Sequence, residues 1–498
     1  MWRFSDGGRL WHYAQIKVLV SDPQHPIMNL DNSYARLPEG FHALVEPGAA
    51  PAPSMLAWNN DLAIELGLGS LAEDEEELAR IFSGASRPEG VQPIALAYAG
   101  HQFGHFVPQL GDGRAALLGE VVTDAGQRYD IQLKGSGRTP YSRGGDGKSW
   151  LGPVLREYIV SEAMHHLGIP TTRALAAVAT GESVHRETVL PGAVFTRVAS
   201  SHLRVGTFQY FAARRNTDAL KTLTEYSIDR HYPEAKSDEV PYVAFFRRVA
   251  ERQAELVAGW MSVGFIHGVM NTDNTSISGE TLDYGPAAYM DEFQFNKVFS
   301  SIDQQGRYAF ANQMPIAQWN LARLAETLLL LCDAKTDFET ILAEFPARYD
   351  SYYFDLMCPK LGLTDRQDGD TELVGGWLRY LQDNALDYTL SFRELATRID
   401  ASDPARFGEF EQRWRQRVGD QATGSAEARA LMDSVNPIFI PRNHRIEQAI
   451  QEAVAGDLTI FRDLNIVLAQ PYLEQPEYAQ YAEAPKPSER VTETFCGT

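Results

Sequence analysis

Tyr129, Ile131 and Leu133 alternate with Asp130, Gln132 and Lys134, the period-two pattern of a half-buried strand. Before them Ala115 to Val122 predicts a second strand, and Thr123-Asp124-Ala125-Gly126 the turn that joins the two. The alternation sends Lys134 away from the apolar face. Residues 135–147, rich in Gly, Ser and Arg, read as a loop. Leu151, Val154, Leu155, Tyr158, Ile159 and Leu167 then recur at helical spacing, and Gly168-Ile169-Pro170 ends that helix. Ala193 to Val198 predicts another strand. Upstream, residues 54–66 carry a helical period with Gly67 as its stop, and residues 73–80 predict an exposed acidic helix.

From about Ser200 onward helices dominate. The exception is residues 271–290, which predict a loop, a hairpin turning at Gly279-Glu280 and a second loop. No internal repeat is present. Strands first and helices later predict an α+β chain, a small β-rich lobe on a larger helical one. The boundaries are an irregular N-terminal extension at 1–27, an N-lobe at 28–199 and a helical C-lobe at 200–498.

Composition narrows the classes. The 498 residues are 44% hydrophobic and 22% charged, an ordinary globular balance. The formal net charge of -21 opposes general affinity for nucleic acid or anionic membranes. The three cysteines, Cys332, Cys358 and Cys496, have no metal-like spacing and suit a reducing compartment. No run of about 18 apolar residues predicts a membrane span, and the first residues lack the apolar core of a secretory signal. The expectation is a cytoplasmic protein.

Four groups carry candidate chemistry. A strand lysine holds nucleotide phosphates when a helical glutamate fixes its stem, and Lys134 with Glu157 fits that pattern. Spacing alone fits a surface pair or two solvated charges better. Asn274 and Asp283 flank the predicted hairpin, and an amide oxygen with a carboxylate are hard ligands suited to Mg²⁺ on phosphates. Asp283-Tyr284-Gly285 matches the metal loop of kinases with Tyr in place of Phe. Where kinases place a catalytic Asp two residues after His, this chain has Val269; Asp273 is the nearest carboxylate. In Gln109-Leu110-Gly111-Asp112-Gly113-Arg114 two glycines let backbone approach a phosphate, and Arg114 adds donors, although Asp112-Gly113 is also a common turn. Arg138, Arg143, Lys148, Arg197 and Arg204 predict a cationic pocket unless they pair with the surplus acids. His101 and His105 have zinc-helix spacing, but Gly100 and Gly104 weaken a helix there. The aromatic run at 349–354 reads as helix core.

These strings resemble one family, the selenoprotein O (SelO, YdiU) kinase-like protein adenylyltransferases. The resemblance is carried by Asp31-Asn32-Ser33-Tyr34-Ala35, Ala97-Tyr98-Ala99-Gly100-His101-Gln102-Phe103-Gly104, residues 109–114, residues 132–143, residues 167–175, residues 268–274 and Asp283-Tyr284-Gly285-Pro286, and it runs from about residue 28 onward. It implies a protein-kinase-like two-lobed fold, ATP bound in a flipped orientation, and transfer of AMP to Ser, Thr or Tyr of protein substrates with Mg²⁺ or Mn²⁺. It further implies that Gly111, Gly113, Arg114, Lys134, Asp146, Gly147, Arg197, Arg204 and Asp283 contact nucleotide. Glu157 would orient Lys134, Asp273 would accept the proton, and Asn274 and Asp283 would hold the metal. An atypical kinase, or a nucleotide-binding pseudokinase scaffold, remain the alternatives. Many members carry a Cys after the Asp-Tyr-Gly loop that pairs with a C-terminal Cys or selenocysteine; residues 290–299 contain none. The helix entry at 148–154 also departs from the usual string.

Overall fold

A computed structural model of the chain describes Met28 and residues 30–495. The proposed extension at 1–27 and Cys496 lie outside the described residues. Among the described residues, eight strands form one antiparallel sheet: β1 (His42–Leu44), β2 (Ser54–Trp58), β3 (Ile94–Leu96), β6 (Ala115–Val122), β7 (Arg128–Lys134), β8 (Ser149–Trp150), β9 (Arg173–His185) and β10 (Val189–Ala199). Seven run in the order β1-β3-β6-β7-β10-β9-β2, and β8 pairs with β10. A separate hairpin joins β4 (Gly100–Gln102) to β5 (His105–Val107).

The β6–β7 pair lies where the alternation predicts it. Gly126, at φ +79°, supplies the left-handed residue of the connecting turn. Ile131 and Leu133 pack with Val178, Val194 and the helix Glu75–Ser83 on one face of the sheet. On the other face Ala177, Ala193 and Phe195 pack against the helix Leu151–His166. Lys134, out of phase with Ile131 and Leu133, is thereby directed to the face that this helix covers. Arg197 lies opposite Gln132 in the β7–β10 register and shares that face.

Two expectations are corrected. Residues 54–66 do not form one helix: residues 54–58 pair with β9, and a helix spans only Asn60–Glu65. Asn59 starts it, its Oδ1 accepting from Leu62 N at 3.1 Å. The acidic helix Glu75–Ser83 exposes Glu75 and Glu76, half-buries Glu77 and buries Leu78, Ile81 and Phe82.

Residues 271–290 do not fold as a hairpin either. Gly279 does turn the chain, at φ +80°, but the two arms bond elsewhere: Ser276 bridges to Arg204 and Thr281 to Thr171. The short pair in this region is β11 (Phe265–Ile266) with β12 (Ala288–Tyr289). From Val205 the chain is dominated by helices, the longest Lys335–Lys360. Within that helix Tyr349 and Tyr353 are buried, stacked 5.6 Å apart, as the core reading of the aromatic run expects. No helix among the described residues is long and apolar enough to cross a membrane.

Candidate active site

A cavity of about 250 Å³ is walled by strand residues on one side and by the loops around Asn271 and Asp283 on the other. Strand and helix positions supply its cations. Lys134 is the last residue of β7, Arg197 lies near the end of β10, and Arg114 and Arg204 sit just before β6 and the helix Val205–Ala213. The facing loops supply Asp273, Asn274 and Asp283. A larger recess of about 1200 Å³ opens elsewhere, beside the helix Asn60–Glu65 and Gly279, and holds none of these groups.

Lys134 Nζ donates to Glu157 Oε1 and to Asp283 Oδ1. Glu157 Oε2 accepts from Arg197 Nη2 at 2.7 Å, and Arg197 stands 3.8 Å from Asp283. Two cations and two carboxylates are thus interlocked, with Lys134, Glu157 and Arg197 all buried. Burial alone would push the Asp283 carboxyl up; the charges of Lys134, Arg197 and Arg114 outweigh it and hold it well below the usual carboxylate range. Asp283 also has φ +73°, a left-handed conformation that non-glycine residues seldom take, Asp being among the exceptions. Tyr284 beside it is buried, its hydroxyl bonded to Thr171 Oγ1.

Asp273 belongs to a single 3-10 turn, Thr272–Asn274. Its Oδ2 accepts from Gln102 Nε2 at 3.1 Å, while Oδ1 is buried without a partner. Burial pushes this carboxyl up to about 6, with Gln102 and the charge of Arg204 acting against the rise. Asn274 Nδ2 donates to Val269 O at 3.1 Å. Buried His267 links the two loops through Nε2 to Leu282 O at 3.0 Å.

Gly113 and Arg114 line the cavity; Gly111, Asp146 and Gly147 do not. Gly111, at φ +100°, lies so close to the Tyr141 ring that a Cβ would sit 2.4 Å from it. Gly147 similarly abuts Gly137 O. Asp146 pairs with Arg186 at 2.9 Å, and that pair together with a bond from Lys148 N lowers its pKa. The loops at 109–114 and 135–147 lean on each other instead, Thr139 Oγ1 donating to Asp112 O at 2.6 Å. The basic pocket is narrower than the sequence suggests. Arg138 donates to the carbonyls of Gly144 and Gly145, Lys148 pairs with Glu182, and neither they nor Arg143 line the cavity.

Sequence reasoning missed Asp112 as a fixed point. Its Oδ2 accepts from Leu96 N and Gln132 Nε2, and its Oδ1 lies 3.5 Å from Arg204. Arg204 is stacked 4.2 Å over the Tyr98 ring. Tyr98 and Gln102 carried no chemical signal beyond membership of one string, residues 97–104.

A family profile described as "Protein adenylyltransferase SelO" matches residues 26–469. The chain belongs to this SelO family. Several curated relatives are each named protein nucleotidyltransferase YdiU. That of Rhizobium leguminosarum bv. trifolii (strain WSM2304) is 55% identical over 489 residues, covering 94% of this chain and 97% of the relative. That of Rhizobium meliloti (strain 1021) is 54% identical over 485 residues, 94% of this chain and 99% of the relative. That of Rhodopseudomonas palustris (strain BisB18) is 56% identical over 484 residues, with the same two coverages. The resemblance seen in the motifs therefore extends across nearly the whole SelO-type chain.

Proposed function

We propose that this protein is a cytoplasmic adenylyltransferase that moves AMP from ATP to Ser, Thr or Tyr hydroxyls of other proteins. The observation that carries the reading is the interlocked set Lys134, Glu157, Arg197 and Asp283, of which Lys134, Arg197 and Asp283 line one cavity together with Asp273 and Asn274. We read the sheet at 28–199 and the helical part from 200 onward as the two lobes of a kinase-like fold, with the cavity between them.

The acceptor hydroxyl oxygen attacks the α-phosphorus, its bond to the bridging oxygen breaks, and diphosphate leaves. The hydroxyl proton passes to Asp273, whose carboxyl, raised to about 6, is ionised at neutral pH and still a better base than an exposed carboxylate. Lys134, Arg114, Arg197 and Arg204 hold the phosphate charge in a confined, largely buried site, where such fixed charges stabilise most. Glu157 keeps Lys134 and Arg197 in place.

The donor set fits a hard divalent cation such as Mg²⁺ or Mn²⁺. Asp283 offers a carboxylate, and the Asn274 amide nitrogen is committed to Val269 O, which leaves its oxygen as the remaining donor atom. Among the described residues no three His, Cys, Asp or Glu side chains form a self-sufficient metal cluster. Such an ion would therefore take its other ligands from phosphate oxygens and water, as Mg²⁺ commonly does. Bound there, it would neutralise phosphate charge.

Val269 at the usual kinase Asp position speaks against ordinary phosphotransfer. Parallel reactions with ATP labelled at the α- or the γ-phosphate separate the readings. Protein labelled from the α position alone is expected. Label from the γ position alone would make the protein a kinase, and ATP binding with neither label would make it a scaffold.

A further inference from the structure

The β4–β5 hairpin is stitched to the Asp273 loop by contacts that join chain segments far apart in sequence. His101 N donates to Thr272 Oγ1 at 2.7 Å, and Phe103 N to Asn271 Oδ1 at 3.1 Å. Gln209 ties both partners together: its Oε1 accepts from Thr272 Oγ1 at 2.6 Å, and its amide nitrogen lies 2.9 Å from His101 Nδ1. Tyr308 OH secures Asn271 Oδ1 at 2.6 Å. These bonds hold the loop by the side chains of Asn271 and Thr272. Gln102 differs from them in its target, because its Nε2 donates to the carboxylate of Asp273 itself, at Oδ2.

The other carboxylate oxygen, Oδ1, has no hydrogen-bond partner although it is buried. It lies against Gly100, where an added Cβ would stand 2.4 Å away. A buried carboxylate with one oxygen unpaired is costly, and Asp273 would turn toward any better donor if nothing restrained it. The restraint present is Gln102. Its donated proton fixes one oxygen, and the bare Cα of Gly100 leaves room for the other.

We propose that Gln102 is a positioning residue for the proton acceptor, holding the Asp273 carboxylate through Nε2–H···Oδ2 in the orientation from which it meets the substrate hydroxyl. This rests on the reading of Asp273 as that acceptor. Gln102 acts through Asp273 and need not touch the nucleotide phosphates. A glutamine that merely closes the hairpin would support the fold whatever residue stood at 273. A glutamine that aims the base has value only while the base is there.

A double-mutant cycle on the full chain distinguishes these roles. The four forms are the native protein, Gln102→Met, Asp273→Asn and the double variant. The readout is the initial rate of incorporation from α-labelled ATP into total protein of a bacterial extract, with ATP affinity measured separately by titration. Gln102→Met is expected to slow transfer about 10- to 100-fold with ATP affinity changed less than about twofold, since misaiming a base costs rate rather than binding. In the Asp273→Asn background the same substitution should change the residual rate by less than about twofold. Gln102→Glu keeps the side-chain shape, removes the donor and adds a like charge, so it should lose at least as much. It decides the matter if Gln102→Met melts at assay temperature.

Native rate in both Gln102 variants would overturn the proposal, as would an equal fold-loss with and without Asp273. Full transfer by Asp273→Asn would instead remove the proton-acceptor reading underneath it. Loss in Asp273→Asn with native rate in the Gln102 variants would remove this inference alone.

Discussion

Arg197 Nη2 donates to Glu157 Oε2 at 2.7 Å while Lys134 occupies the other oxygen of the same carboxylate. Glu157 is therefore a shared counter-ion for two buried cations, not the partner of the lysine alone. With Glu157→Gln, Lys134 and Arg197 would face only Asp283. Removing one partner of a buried ion pair typically costs about 3–5 kcal/mol, because the remaining charges stay desolvated. We expect a clear drop in denaturant midpoint and, on the proposed role of Lys134 and Arg197 at the phosphates, a loss of transfer of about 10²-fold or more as the two charges lose their alignment. Unchanged stability in urea titrations would mean that the buried cluster does not carry this load.

Asp283→Ala should behave differently. Lys134 and Arg197 keep Glu157, so the fold survives, and ATP phosphates supply the missing negative charge. Nucleotide binding is expected to persist. Transfer should fall by about 10³-fold or more, because the carboxylate available to a divalent ion is gone. Equilibrium binding and α-label transfer, both with Mg²⁺ or Mn²⁺ supplied, check the split. Full activity with either ion would contradict the site.

How much of this was legible in the sequence depended on the range of the interaction. The β6–β7 strands and the helix carrying Glu157 are written in local periodicity, and their geometry brings Lys134 to the face that carries Glu157. Residues 54–58 read as helix because a short apolar run fits helix or strand; pairing with β9, more than a hundred residues away, decides for strand. The two arms around Gly279 look like a hairpin for the same reason. Their partners, Arg204 and Thr171, lie in other parts of the chain. The double duty of Glu157 and the grip of Gln102 on Asp273 were unreadable because a register and a packing contact create them, not a spacing. The motif points Gly111 at nucleotide; the structure adds a packing reason for glycine there, the Tyr141 ring pressed against it.

His231 gives the fold an acid-sensitive element that does not line the cavity. Its Nε2 lies 2.8 Å from Ser201 Oγ, and burial together with the charge of Arg230 holds the imidazole down at about 3, against 6.5 for a free histidine. Between those values the unfolded chain takes up a proton that the folded chain refuses. The stabilisation is therefore fully present above about pH 6.5 and is lost as pH falls toward 3, at up to about 1.4 kcal/mol per unit. His231→Asn removes this proton uptake. Its urea midpoint should fall less steeply between pH 6.5 and 4 than that of the native chain. Parallel slopes would show that His231 does not contribute.

Gly100→Ala tests the same carboxylate from the opposite side to Gln102. The backbone of Gly100 lies outside the left-handed region, so alanine introduces no torsional strain there. What it introduces is a methyl group 2.4 Å from Asp273 Oδ1 and 2.8 Å from its Cβ and Cγ, closer than atoms can approach. Either the hairpin lifts or Asp273 swings off its bond to Gln102, and the cations Lys134 and Arg197 on the strands move in neither case. The expected result is transfer slowed by about 10- to 100-fold with ATP affinity within about twofold of native, the signature of a base displaced from its acceptor. A thermal melt controls for hairpin unfolding. Undiminished transfer by Gly100→Ala would mean that Asp273 tolerates displacement, which a general base working at hydrogen-bond distance does not.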